Sequence, residues 1–319
     1  MNIDQLPAEI VIAANRIRDY IRETPLDFSS YFSELSGAHV YLKLENLQHT
    51  GSFKLRGAFN KVLSLSQEQR KAGCVAASSG NHGMAIAYAM KALGVSGVIF
   101  VPEHASPAKV EAIKRAGGEV RFFGTDGLDT ENHAREYALE HDLTYLSPYN
   151  DHQVIAGQGS CGVEVAAQLS QVDAVFVAVG GGGLISGVGS FLKSVNPDVQ
   201  IVCCQPAASQ VMTASVQAGE IIDIPSEPTL SDGTAGGIES GAITFDICRD
   251  IVQGYVTVSE EKIAEAMRMF MDSHRMLIEG AAAVAIAGFL DVANDYREKN
   301  AVIVICGGNI SRETLKKVI

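Results

Sequence analysis

Short β-rich runs alternate with longer stretches of helical periodicity along this chain. Residues 40–44, 74–77, 97–101, 119–123, 174–179, 200–204, 255–258 and 301–305 read as strands. They favour Val, Ile and Phe without strict alternation, as strands buried on both faces do. Between them, residues 107–116, 128–140, 154–169 and 260–271 repeat apolar positions at helical spacing. Strand–helix alternation implies βαβ units and parallel sheets covered on both faces. There are too many units for one tidy sheet. One series of strands ends before Tyr145, a turn-rich segment at 147–151 follows, and a second series starts at Ala174. The expected fold is therefore α/β with two lobes, each a mostly parallel twisted sheet flanked by helices, and a cleft between them. Residues 219–241 form the longest irregular stretch, of a length more often functional than idle.

Composition narrows the partners. The chain has 319 residues, 47% of them hydrophobic and 19% charged, enough for a sizeable core. A net charge of −12 without a basic stripe argues against nucleic acid and anionic membrane surfaces. It leaves room for a small anion held by backbone dipoles. The apolar run 280–290 is far too short to cross a bilayer. Six scattered cysteines, none in a C-x-x-C pair, suit reduced thiols and a cytoplasmic location. The first five residues are polar and acidic, unlike a secretory leader.

Four fragments carry chemistry. Lys54 lies in Ser52-Phe53-Lys54-Leu55-Arg56-Gly57-Ala58 at an expected helix start. Most lysines are solvated surface charges, but a helix N-terminus and the apolar Phe53 both disfavour a charged amine, and a neutral amine is what imine formation needs. Gly180, Gly181, Gly182 and Gly183 follow a strand and precede the apolar run from Leu184. Their N–H groups can converge on one anion. A dinucleotide turn is the rival, yet the run lacks the G-x-G-x-x-G spacing and no acid ends the next strand, since Asp198 precedes it. Ser78-Ser79-Gly80-Asn81-His82-Gly83 also joins a strand to a helix. It reads either as plain N-capping or as N–H groups for a carboxylate, with the Asn81 amide for a phenolic oxygen. His82 alone reads as structural. Cys306, before Gly307-Gly308-Asn309, is a buried thiol or the neutral partner of a pyridine nitrogen. Pyridoxal phosphate is one small molecule that calls on an amine, an anion cradle, an amide and such a partner together.

From about Thr24 to Asn309 the chain resembles the fold-type II, tryptophan-synthase-β-like enzymes that use this cofactor, and within them the threonine/serine dehydratase and serine racemase group. The resemblance rests on Leu42-Lys43-Leu44-Glu45-Asn46, Ser52-Phe53-Lys54, Ser79-Gly80-Asn81-His82-Gly83, Val154-Ile155-Ala156-Gly157-Gln158-Gly159 and the four glycines. It implies that Lys54 holds the cofactor as an imine and later removes the substrate Cα proton. It implies that Phe53 packs beside the ring, Asn81 meets the ring hydroxyl, Gly180 to Leu184 bind phosphate, Cys306 faces the ring nitrogen, Glu279 lies near the ring and Gly233 walls it. The N–H groups of Ser78, Ser79, Asn81 and His82 would receive the carboxylate of a small amino-acid substrate. The implied reaction is α,β-elimination from L-threonine, L-serine or a related β-hydroxy amino acid, giving a 2-oxo acid and ammonia. The implied organisation is a large cofactor-binding domain of residues 1–50 and 149–319, a small closing domain of residues 51–148, and a homodimer.

Ser79 keeps a second activity open. Racemases of the group place a serine here as the base opposing the lysine, while many dehydratases have alanine. Other departures matter as well. Members that bind a divalent cation carry acidic residues just after the strand matching 200–204, whereas residues 205–211 hold no carboxylate, so no metal site is expected. Residues 231–237 lack the lysine and serine of the racemase pattern and are more similar to dehydratases linked to hydroxyectoine breakdown. Tyr149 either packs, narrows the pocket or bonds a polar substrate tail. The rivals are an amino-acid racemase, a nucleotide-binding oxidoreductase using Gly180 to Gly183, and a non-catalytic protein that keeps the fold.

Overall fold

Residues 5–319 are described by a computed structural model; residues 1–4, on which the leader reading mostly rests, lie outside the described residues. Ten strands form two sheets: β1 (Leu26–Phe28), β2 (His39–Lys43), β3 (Cys74–Ala77), β4 (Gly97–Val101), β5 (Glu119–Phe122), β6 (Thr144–Tyr145), β7 (Ala174–Ala178), β8 (Gln200–Pro206), β9 (Gly254–Val258) and β10 (Asn300–Val304). The six-stranded sheet has the order β1-β2-β10-β7-β8-β9 and the four-stranded sheet β5-β4-β3-β6. Every pairing is parallel except β1 with β2.

Burial explains this arrangement. All residues of β7 are buried, as the centre of a sheet covered on both faces requires. One cover is the helix Gly280–Val292, whose sequence is apolar all round and which is buried over most of its length. At Gly288 it presses so close to β8 that an added Cβ would come within 2.6 Å of Cys204 Sγ. The opposite cover includes the helix Gly183–Val195. The small sheet has a separate apolar core, with Leu55, Phe59, Ile86 and Ile99 inside it.

Eight strands lie within two residues of the expected positions. β1 and β6 were not foreseen. β1 is three residues long and largely exposed, and β6 has two residues, so neither carries a periodic signal. β6 also corrects the boundary of the first series, because Thr144 and Tyr145 pair with β3 and complete the small sheet. Among the described residues no helix is long and apolar enough to cross a membrane.

Strand ends set the position of the site. Beyond the carboxyl ends of β3, β7 and β10 come Ser78, Gly180 and Cys306, the edge at which open α/β sheets bind ligands. The approach to Lys54 is tied to the same edge. Ser52 makes an antiparallel bridge with Gly307, and Phe53 N donates to the Cys306 carbonyl at 3.1 Å.

Candidate active site

A cavity of about 550 Å³ lies between the two sheets. It is lined by Phe53, Lys54, Ser78, Ser79, Asn81, His82, Gly180, Gly181, Gly182, Gly183, Leu184, Gly233, Glu279 and Cys306, so the structure brings together every residue expected at the site.

Lys54 opens the helix Lys54–Ser64. Its Nζ donates to the Pro148 carbonyl at 2.8 Å and stands 5.3 Å from the Phe53 ring centroid. Burial pushes the amine down to about 8, against a weaker upward pull from Cys306 and Glu279. A much larger share of it is therefore neutral at pH 7 than of a solvated lysine. Burial, reinforced by Glu279, drives the Cys306 thiol well above its ordinary range, so it stays a neutral S–H.

The two glycine-bearing turns leave donors free. Gly182, with φ of +86°, is the N-cap of Gly183–Val195 and brings no side chain to bond the first N–H groups; the first helical bond there runs from Ser186 N to the Gly182 carbonyl. A Cβ at Gly180, Gly181 or Gly182 would come within 3.0, 2.3 or 2.8 Å of Thr234, Tyr149 or Met212. Only glycine lets the loop pack this tightly along the cavity wall. Gly80 likewise caps Asn81–Leu93 without a side chain, and the first bond runs from Met84 N to the Gly80 carbonyl. The N–H groups of Asn81, His82 and Gly83 thus precede any helical acceptor.

The remaining side chains have defined partners. His82 is buried, its Nε2–H donating to the Leu146 carbonyl at 2.9 Å, and burial and the Lys54 charge push it down to about 3. The ring is a neutral strut, which leaves its backbone N–H for a substrate. Asn81 Nδ2 donates to the Glu279 carboxylate, standing 2.9 and 3.0 Å from its two oxygens, and Oδ1 accepts from Asn309 Nδ2 at 2.7 Å. The second amide hydrogen has no protein acceptor among the described residues and can meet a ligand. Burial raises Glu279, with Asn81 opposing. Ser78 Oγ accepts from Gly80 N at 3.1 Å, whereas the Ser79 hydroxyl has no protein partner among the described residues. A Cβ added at Gly233 would meet Ala281 and Glu279 only at ordinary contact distance, 3.5 and 3.6 Å. Tyr149 borders the cavity, and its hydroxyl accepts from Glu239 N at 2.8 Å.

Sequence reasoning missed several lining groups. Lys109 Nζ reaches Asp232 Oδ2 at 2.7 Å, and both residues face the cavity. Nothing local announces a contact between residues so far apart. Asn309 lay inside a quoted fragment, but only the fold shows that it orients Asn81. Gln205, where a cation carboxylate was sought, is buried and spoken for: it donates to the Val179 carbonyl at 3.0 Å and accepts from Thr213 N at 2.8 Å. Among the described residues no group of three or more His, Cys, Asp and Glu could hold a metal ion.

Only a ligand that is at once aldehyde, anion and heteroaromatic base uses the amine, the glycine cradle and the neutral thiol together, and this defines a class: α/β enzymes that work with pyridoxal phosphate. The chain belongs to the family described as pyridoxal-phosphate dependent enzymes, whose model matches residues 17–307. It is 38% identical over 311 residues to an L-threonine ammonia-lyase of Thermotoga maritima, covering 98% of this chain and 77% of that protein. Among solved structures it is similar to threonine deaminase isoform 2 of Solanum lycopersicum, with a TM-score of 0.95 and 34% identity over 99% of this chain and 92% of that one. It is also similar to serine racemase of Dictyostelium discoideum, with a TM-score of 0.90 and 35% identity over 96% of this chain and 98% of that one.

Proposed function

We propose that the protein is an ammonia-lyase that converts L-threonine, L-serine or a related β-hydroxy amino acid to a 2-oxo acid and ammonia. The observation that carries this is the depressed Lys54 amine in one cavity with a neutral Cys306 thiol. The names of the relatives support it. The residues suit the cofactor: Lys54 would hold its aldehyde carbon, Gly180 to Leu184 its phosphate, Cys306 the ring nitrogen and Asn81 the ring hydroxyl, with Phe53 and Gly233 against the ring. When bound, pyridoxal phosphate supplies a sink for electrons released at the substrate Cα.

Each protein group then has a task. The N–H groups at the start of Asn81–Leu93 receive the substrate carboxylate, favoured by the helix dipole. Lys54, once free, collects the Cα proton on Nζ; an amine near pH 8 serves as base and then as acid. The Cys306 thiol, neutral and a weak donor, would face the ring nitrogen without protonating it, which would temper the electron sink that the cofactor supplies and favour loss of the β-hydroxyl. Residues 51–148 would close on a large domain of residues 1–50 and 149–319, excluding water. A cytoplasmic homodimer is part of the reading, consistent with six free buried cysteines.

A second reading is favoured by the Ser79 hydroxyl, which lines the cavity without a protein partner. A base there could return a proton to Cα and give racemisation. Incubating the holoenzyme with L-serine and L-threonine, measuring 2-oxo acid and separating the amino-acid enantiomers distinguishes the two. Oxo acid in excess is the expected result, and D-serine in excess of pyruvate would reverse the assignment. A colourless protein that borohydride does not trap with the cofactor would end both readings.

A further inference from the structure

Two residues after Lys54, Arg56 is completely buried. Its Nε and Nη2 each donate to the Glu45 carboxylate at 2.8 Å, and its Nη1 and Nη2 donate to that of Glu164 at 2.6 and 2.8 Å. Ser160 Oγ accepts the remaining N–H, on Nη1, at 3.1 Å, and Thr24 Oγ1 shares an Nη2 hydrogen at 3.4 Å. Lys43, also fully buried, donates to Glu164 at 2.6 Å, so two cations balance two carboxylates. None of these groups lines the cavity.

A buried network of this kind adds little net stability over apolar packing of the same volume. What it does fix is geometry, because a planar guanidinium gripped by two carboxylates accepts one orientation. Four pieces of chain meet on it: the segment before β1 with Thr24, the end of β2 and the turn after it, the helix Lys54–Ser64 and the helix His152–Gln168. The same first turn is held by Gly57 N donating to Gln158 Oε1 at 3.1 Å and by Phe53 N on the Cys306 carbonyl.

We propose that Arg56 is a positioning residue for the reaction: it locks the first turn of Lys54–Ser64 so that Lys54 Nζ stands where the Cα proton is collected. This rests on the reading of Lys54 given above. A misplacement of about 1 Å costs on the order of a hundredfold in rate. Arg56→Lys keeps the charge and loses the fork. In purified holoenzyme its kcat should fall about 10- to 100-fold while KM changes less than about threefold. The visible absorbance of the bound cofactor should persist with a displaced pH dependence. Glu164→Gln, which leaves the Glu45 pair intact, should fall between wild type and Arg56→Lys. Phe270→Leu, in the core of the six-stranded sheet, should lower the melting temperature and leave kcat per bound cofactor unchanged.

An Arg56→Lys enzyme with wild-type kcat and pH dependence would overturn the proposal. So would a loss no greater than that of Phe270→Leu at equal loss of melting temperature. If Arg56→Lys does not fold, Glu164→Gln carries the test with the same two readouts, and wild-type values there are equally fatal. Borohydride trapping of the wild type is done first. Failure to label residue 54 would remove the Lys54 reading, a different outcome from normal labelling with unaltered variants.

Discussion

Replacing Lys54 with methionine should make the cofactor-free protein more stable at pH 7. Burial lowers the amine from 10.5 to about 8, which corresponds to about 3 kcal/mol of disfavour for the charged form. Below pH 8 the folded protein carries a cation that its surroundings resist, and the unfolded chain does not. Between pH 8 and 10.5 the unfolded chain keeps a proton that the folded chain has released, so wild-type stability rises with pH through that window. Methionine removes the ionisation and keeps an apolar stem of similar length. Losing the hydrogen bond to the Pro148 carbonyl returns about 1 kcal/mol, leaving a net gain of up to about 2 kcal/mol at pH 7. The gain should fade or reverse by pH 10. Urea unfolding of both cofactor-free proteins at pH 7 and pH 10 reads it directly. A Lys54→Met protein no more stable than wild type at pH 7, or a gain unchanged at pH 10, would refute the reasoning. The same substitution should abolish borohydride trapping of the cofactor.

Three further outcomes are expected. The His82 imidazole, pushed down to about 3, should cost the wild type about 1.4 kcal/mol per pH unit as pH falls below 6.5 towards 3, and His82→Gln should flatten that slope in acid unfolding. Gly83→Ala would set a Cβ 2.2 Å from the Ser78 carbonyl oxygen, backbone that cannot step aside, so melting should report a loss of about 1–3 kcal/mol and KM should rise. Gly181→Ala drives a Cβ to 2.3 Å from the Tyr149 ring and spoils the cradle, so cofactor affinity in equilibrium titration should weaken about tenfold or more, 1.4 kcal/mol per decade.

Legibility followed local chemistry. Parallel strands such as β7 and β10 announce themselves because both faces are buried, and the glycines at 180–183 because four in a row after a strand serve little besides a close backbone approach. The motif Ala156-Gly157-Gln158-Gly159 was recognisable, but its reason was not. A Cβ on Gly157 would lie 2.7 Å from Gly57 Cα, where two helices cross. The Glu45–Arg56–Glu164 cluster was hidden for the same kind of reason: its members are ordinary charged residues until the fold removes them from water. Asn81 was legible as an amide before a helix, and it does line the cavity, but its grip on Glu279 depends on two chain segments meeting, which no spacing encodes.

The position of β10 bears on how the molecule is assembled. It lies between β2 and β7, although it is the last strand in sequence, and pairs residues 300–304 with residues 39–43. The small sheet draws its strands from residues 74–145 alone and can form while a ribosome is still reading the message downstream. The large sheet stays split, its central slot open and its β2 and β7 edges exposed, until the final strand emerges. Cys306 arrives with that strand, so nascent chains stalled before it would display sticky unpaired edges and an unfinished pocket, and would be natural clients for chaperones.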